Sequence, residues 1–390
     1  MRTVCESCVK DEAKKNLQLL RMGQRTTCPR LYALPKGAEK LHEEFLESLK
    51  SGDWSFILVR GDNGAGKSVY LKYLEHYANS YGYAISHVEV DPEQIKLYGA
   101  PKYFSLQMFN TIRLPDGEIM LYRMLRDENF RDKVHSIVEK NLADFEFYSP
   151  AFAQVLLMAT DSSSENKTSR TMATSWLKGE PKYVAELREM GVFDKTMKSI
   201  LDVPTSKILY SMKDLIQHLG HKGLLVSIDE IEKAGELQVI KGRETLSVIR
   251  DLINILTSED SLPLKRGTMK GLFIAYAISD FYLGYSGVIE VDGVDFKAAA
   301  EKYGTPNVTI QEMPRLSTML RDSGAMISAD FSSRDDLKAI ANKIIPCYSY
   351  ANSRSVTLTA DELANKAFET TNEFLARTNV MAMMKILEKT

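Results

Sequence analysis

The sequence predicts an α/β protein built on a parallel sheet with helices on both faces. Three observations predict it. Short apolar runs at residues 54–60, 83–90, 223–228 and 271–278 alternate with helical patterns, as parallel strands joined by crossover helices do. A glycine-rich turn, residues 61–66, separates the first run from a helical stretch. The third run ends in an acidic pair, Asp229–Glu230, at the strand end where open α/β sheets take their ligands.

Residues 1–15 are charged and lack the apolar centre of a signal peptide, and no run of 18 apolar residues occurs, so a cytoplasmic protein without a membrane span is expected. Residues 11–21 read as a short helix closed by Met22 and Gly23, and 24–36 as a loop with two prolines. Leu41, Phe45 and Leu49 recur every fourth residue within an amphipathic helix over 37–50, which Ser51-Gly52-Asp53 ends. Residues 54–60 form a buried strand, and a helix starts at Lys67 and runs to about Tyr81. Residues 83–90 alternate as a second strand. Residues 100–219 carry no strong strand signal and read as several helices, in which Phe104 and Phe109 are core residues. The polar stretch 160–170, with Ser162, Ser163 and Ser164, reads as a surface loop. Leu246, Ile249, Ile253 and Leu256 line one face of a helix over 245–257. From Ser332 the pattern is helical, and Thr359-Ala360-Asp361-Glu362 has the capping-box form that opens a helix.

The 390 residues carry 50 Lys and Arg against 52 Asp and Glu, a net charge of −2, so a basic surface for nucleic acid must be local or assembled from several copies. The basic segment 265–270 is such a local candidate, against the plainer reading of a solvated turn. Cys5, Cys8 and Cys28 supply three thiols without an obvious fourth ligand, which leaves zinc open beside the plainer reading of reduced thiols; Cys347 is remote.

The chemistry resides in Gly61-Asp62-Asn63-Gly64-Ala65-Gly66-Lys67-Ser68, which fits G-x-x-x-x-G-K-[ST], the P-loop or Walker A motif. Glycines let backbone amides wrap closely around phosphate, and the following helix N-terminus favours negative charge. Lys67 places a cation at the β- and γ-phosphates, Ser68 ligates Mg²⁺, and Val69 completes the nucleotide-binding stretch. Asp229 is expected to hold Mg²⁺ directly or through water, and Glu230 to polarise the attacking water, a Walker B arrangement that favours ATP hydrolysis over binding alone. Ser279, at the end of the 271–278 strand, is a further candidate near the γ-phosphate, against the alternative of an ordinary strand-end turn with Asp280.

With these motifs the chain resembles the AAA+ ATPases, and within them the ATP-binding proteins of bacteriophage-exclusion (BREX) defence systems, the D component. Leu19-Leu20-Arg21-Met22-Gly23, residues 56–61 running into the P-loop, residues 84–90, Trp176-Leu177-Lys178-Gly179-Glu180, and residues 219–223 carry the likeness. The resemblance implies a sheet ordered 5-1-4-3-2, an ATPase core over 37–330 after an N-terminal segment (1–36), a helical insertion at about 100–219, and a helical lid over 331–390. It implies ATP and Mg²⁺ as ligands, a homo-oligomer, and DNA or other defence proteins as partners. It places a lid arginine near the γ-phosphate, for which Arg377 is the candidate, and a finger acting on a neighbouring copy, for which Arg315 and Arg321 stand open. An ATP-dependent regulatory switch, or a loader of the signalling, transposition or replication type that recruits an effector, is the competing expectation.

Overall fold

The computed structural model describes residues 10–24, 28, 31–36, 38–163, 167–231, 233, 248, 252, 270–279 and 326–390. Among these residues the sheet has five strands, β1 (Ser55–Gly61), β2 (Tyr83–Glu89), β3 (Gly223–Asp229), β4 (Leu272–Ser279) and β5 (Met326–Ser328). They lie in the order β2-β3-β4-β1-β5, and every pairing is parallel. This is the order that the likeness to AAA+ proteins implies. The inner strands β3 and β4 are buried along their whole length, which explains why they read as unbroken apolar runs rather than alternating ones. Four strands fall where the sequence places them. The fifth, β5, is only three residues long and gives no period to read.

Alternate residues of each strand feed two cores. Phe56, Leu58, Val226, Ile274 and Tyr276 face one side, and Ile57, Val59, Leu225, Phe273 and Ala275 the other. The second side is covered by α2 (Glu39–Ser51) and α3 (Lys67–Ser80). In α3, Tyr70, Leu71, Leu74 and Ala78 are buried, spaced to lie along one face against the sheet. Gly52 ends α2 in the left-handed conformation at φ 78°, its N–H donating to Ser48 O.

The first side is covered by the helices between β2 and β3. These are α4 (Pro92–Tyr98), α5 (Ala100–Asn110), α6 (Met120–Arg126), α7 (Glu128–Lys140), α8 (Leu142–Tyr148), α9 (Pro150–Thr160), α10 (Lys167–Leu177), α11 (Val184–Glu189) and α12 (Thr205–His218). Helical structure therefore starts at Pro92 rather than near 100, because Asp91 caps it by accepting from the Glu93 and Gln94 amides. Phe104 and Phe109 are core residues as read. The 160–170 stretch is not one loop. Thr160 closes α9, and residues 167–170 already belong to α10, whose Ala173, Trp176 and Leu177 are fully buried and pull that helix onto the core. The Trp176 indole N–H donates to Met197 O at 3.0 Å, so the ring buries without an orphaned donor. Of the 245–257 helix, Val248 and Leu252 are described, both helical and buried; Leu246, Ile249, Ile253 and Leu256 lie outside the described residues.

A third core forms among α13 (Arg334–Asn352), α14 (Ala360–Thr371), α15 (Ala376–Lys389) and the far-removed α1 (Lys10–Arg21). Ala13 and Leu17 of α1 pack with Leu337, Ile344, Leu363, Met383 and Leu387. Arg21 pairs with Glu388 at 3.1 Å, and the Lys36 N–H donates to Asp336 Oδ1 across 300 residues of sequence. The capping box at Thr359 is present, with Oγ1 accepting from the Glu362 amide and the Glu362 carboxylate accepting from the Thr359 amide. Among the described residues, no helix is long and apolar enough to cross a membrane.

Candidate functional site

The turn after β1 adopts a conformation that only glycines take readily. Gly64 has φ 93° and Gly66 φ 110°, and a Cβ on Gly64 would lie a tight 3.2 Å from that of Arg377. The loop delivers the chain into α3 at Lys67, so the free amides of the first turn face the loop. Lys67 is buried, and its Nζ donates to Gly61 O at 2.9 Å and to Asp62 O at 3.1 Å. The cation is thus held over the loop.

The loop opens on a cavity of about 480 Å³, of the size that small-molecule sites have. One wall is polar. Asn63, Gly64, Ala65, Gly66, Lys67, Ser68 and Val69 line it together with Asp229 and Glu230. Asp229 is 1% exposed, and its Oδ1 accepts from the Glu230 amide at 2.9 Å. Glu230 is held at φ 60°, unusual for a residue with a side chain, and its carboxylate pairs with Lys233. Strained backbone of this kind gathers at functional sites. Gly61 and Asp62 lie at the start of the loop; Ser279 is buried in register with Gly61 across the β1–β4 ladder.

The other wall is apolar and comes from remote segments. Leu20, Leu31 and Tyr32 approach from the N-terminal side, and Phe331, Ile340 and Val380 from the C-terminal helices. Arg377 also lines the cavity; its amide donates to Gly64 O at 3.2 Å, and its side chain passes close over Gly23. In sequence these residues look like any core residues; the nearest hint is Gly23, where the lack of a side chain lets Arg377 and Met381 approach.

Two polar clusters hold α3, the helix that follows the loop. Tyr32 packs on Tyr70 and Tyr73 of α3 at ring distances of 5.2 and 5.3 Å, and its hydroxyl is buried without a hydrogen-bond partner among the described residues. Burial pushes that phenol well above its usual pKa, so it stays protonated. His42 sits against the same cluster, Nδ1 to Tyr70 Oη 2.9 Å, and burial lowers its pKa to about 4. Lower on α3, Glu75 meets His87 Nδ1 at 2.7 Å, Ser227 Oγ at 2.5 Å and Lys72 Nζ at 2.9 Å. Burial alone would raise the Glu75 carboxyl, but these partners outweigh it and hold the pKa below the ordinary value. The cluster staples α3 to β2 and β3.

Arg315, Arg321, Asp280, Cys5, Cys8 and the basic residues Lys265 and Arg266 lie outside the described residues. Cys28 is buried in the core shared by α1 and the C-terminal helices, as is Cys347. Among the described residues no three His, Cys, Asp or Glu side chains gather to hold a metal ion.

The profile of one protein family, described as the BREX system ATP-binding protein BrxC/D, matches residues 34–105 and 118–274. The chain belongs to that family. The match takes in the P-loop, the Asp229–Glu230 pair and most of the helices between β2 and β3, and leaves the C-terminal helices outside it. BREX membership accords with the resemblance read from the segments around Trp176 and the P-loop. No curated protein matches the chain.

Proposed function

We propose that this BREX family member is a Mg²⁺-dependent ATPase that works in an oligomer on DNA or a DNA-bound defence complex. One observation carries the reading: the P-loop, Lys67, Ser68 and the Asp229–Glu230 pair all face one cavity whose opposite wall is apolar. The polar wall suits a triphosphate, and the apolar wall suits a base. The Ser68 hydroxyl and the Asp229 carboxylate are hard oxygen donors on the same cavity, which fits Mg²⁺. When bound, the ion would neutralise charge on the β- and γ-phosphates.

The residues divide the work. The amides from Asn63 to Ser68 receive phosphate oxygens, and Lys67 moves from the Gly61 and Asp62 carbonyls to the phosphates. Glu230 accepts a proton from the attacking water once it leaves Lys233. Ser279 lies beside the loop's first residue, where it can bond the γ-phosphate or the water. Arg377, anchored to Gly64, brings α15 to the phosphates and makes the C-terminal helices a lid that senses what is bound. The helices between β2 and β3 are an insertion that offers a surface to other BREX proteins. Antiviral defence is the cellular role that family membership supports.

The Glu230–Lys233 pair also favours a second reading, an ATP-loaded switch with little turnover, since it draws the base aside. Steady-state ATP hydrolysis by wild type and Glu230→Gln, with and without double- and single-stranded DNA at fixed salt, separates the two. The expected result is hydrolysis stimulated by DNA and slowed about 10²- to 10⁴-fold in the variant. Turnover close to zero in wild type, with or without DNA, would reject the motor and favour the switch.

A further inference from the structure

We infer that Asp330 is a positioning residue that fixes the first peptide of the P-loop for phosphate binding. The inference rests on the reading of the cavity as a nucleotide site. The peptide unit joining Gly61 and Asp62 is gripped at both of its polar groups. Its carbonyl accepts from Lys67 Nζ at 2.9 Å. Its N–H donates to Asp330 Oδ1 at 2.9 Å, although Asp330 lies 268 residues further along the chain. Rotating this peptide by half a turn would set the carbonyl oxygen against the carboxylate, a bar that stays in place when Lys67 turns to the phosphates. Asp330 therefore selects one of the two orientations open to a peptide that begins at a glycine.

The carboxylate is itself held. Ser328 Oγ donates to Asp330 Oδ2 at 3.1 Å, and the Ala329 amide donates to Arg60 O at 2.7 Å, which continues the β1–β5 ladder. The approach depends on residue 61 having no side chain: a Cβ there would lie 2.9 Å from Asp330 Oδ1. The next residue, Phe331, lines the apolar wall, and α13 begins at Arg334. One carboxylate thus joins the phosphate loop to the strand that leads into the C-terminal helices. The geometry uses Asp330 as an acceptor for an amide, so an amide side chain that keeps an oxygen at the same place will serve.

The test is calorimetric titration of a non-hydrolysable ATP analogue with Mg²⁺ into wild type, Asp330→Ala, Asp330→Asn and Lys67→Ala, with thermal unfolding of each protein without nucleotide. Asp330→Ala is expected to bind about 10- to 100-fold more weakly, the loss typical of a hydrogen bond to a charged group. Asp330→Asn should stay within about threefold of wild type, a rescue that a merely structural aspartate would not show. The unfolding midpoints without nucleotide should differ by only a few degrees. Wild-type affinity in Asp330→Ala, with binding lost in Lys67→Ala, would overturn the inference and leave the nucleotide site standing. Equal weakening in the Ala and Asn variants would also overturn it. Retained affinity in Lys67→Ala would instead reject the nucleotide reading itself, and Asp330 with it. Should Asp330→Ala not fold, Ser328→Ala removes the hydroxyl that steadies the carboxylate; weaker binding is expected there, and unchanged binding overturns the inference.

Discussion

At the scale of single residues, the polar half of the site is legible in sequence because its chemistry needs rare residue types at fixed spacing. Glycines, a lysine and a hydroxyl must follow one another in one turn, and an acidic pair must end one buried strand. The supporting residues are not legible. Tyr32 and Asp330 become neighbours of the loop, and His42 of α3, only through folding, and nothing near them in sequence marks them. His42 illustrates what burial then does. In the unfolded chain it takes up a proton near its ordinary pKa of about 6.5, whereas in the folded protein it does so only near 4. Between those values the unfolded chain binds more protons, so stability falls as pH drops through that window and levels off below it. Thermal unfolding followed from pH 7 to pH 4 should show a smaller loss in His42→Gln than in wild type. An identical pH dependence in the two proteins would mean that His42 is not held neutral.

Among the secondary elements, length decided what could be read. The strands of seven or eight residues are long enough to show as apolar runs, and the amphipathic helix α2 carries enough positions for its period to show. The three-residue β5 does not, yet it closes the sheet beside β1 and carries the chain to Asp330. The polar 160–170 stretch misled for the opposite reason: its composition suggests a loop, while buried Ala173, Trp176 and Leu177 recruit its second half into α10. Local chemistry was a better guide where a side chain acts on its own backbone. The Thr359 capping box is one case, and it gives a direct test. Thr359→Ala should cost about 1 kcal/mol in chemical unfolding, with the slope of the transition unchanged. A cost close to zero would mean that α14 is set by its packing alone.

For the whole molecule, the cavity is the meeting place of a sheet and a separate helical core, so a ligand there ties the two together. Bound nucleotide at a hundred times its dissociation constant should stabilise the fold by about 2.7 kcal/mol. Hydrogen exchange should slow in the first turns of α15 as well as in residues 61–68, because Arg377 and Val380 share the cavity with the loop. Protection confined to the loop would show that the C-terminal helices take no part in binding. The packing of α1 against α13 and α15 has a consequence for biosynthesis. During translation α1 leaves the ribosome long before its partners are made, and must wait with Ala13 and Leu17 uncovered. The apolar wall therefore cannot be completed on a nascent or prematurely terminated chain. Until α15 has been synthesised, Arg377 and Val380 are missing from the cavity, so an unfinished copy presents only part of its lining.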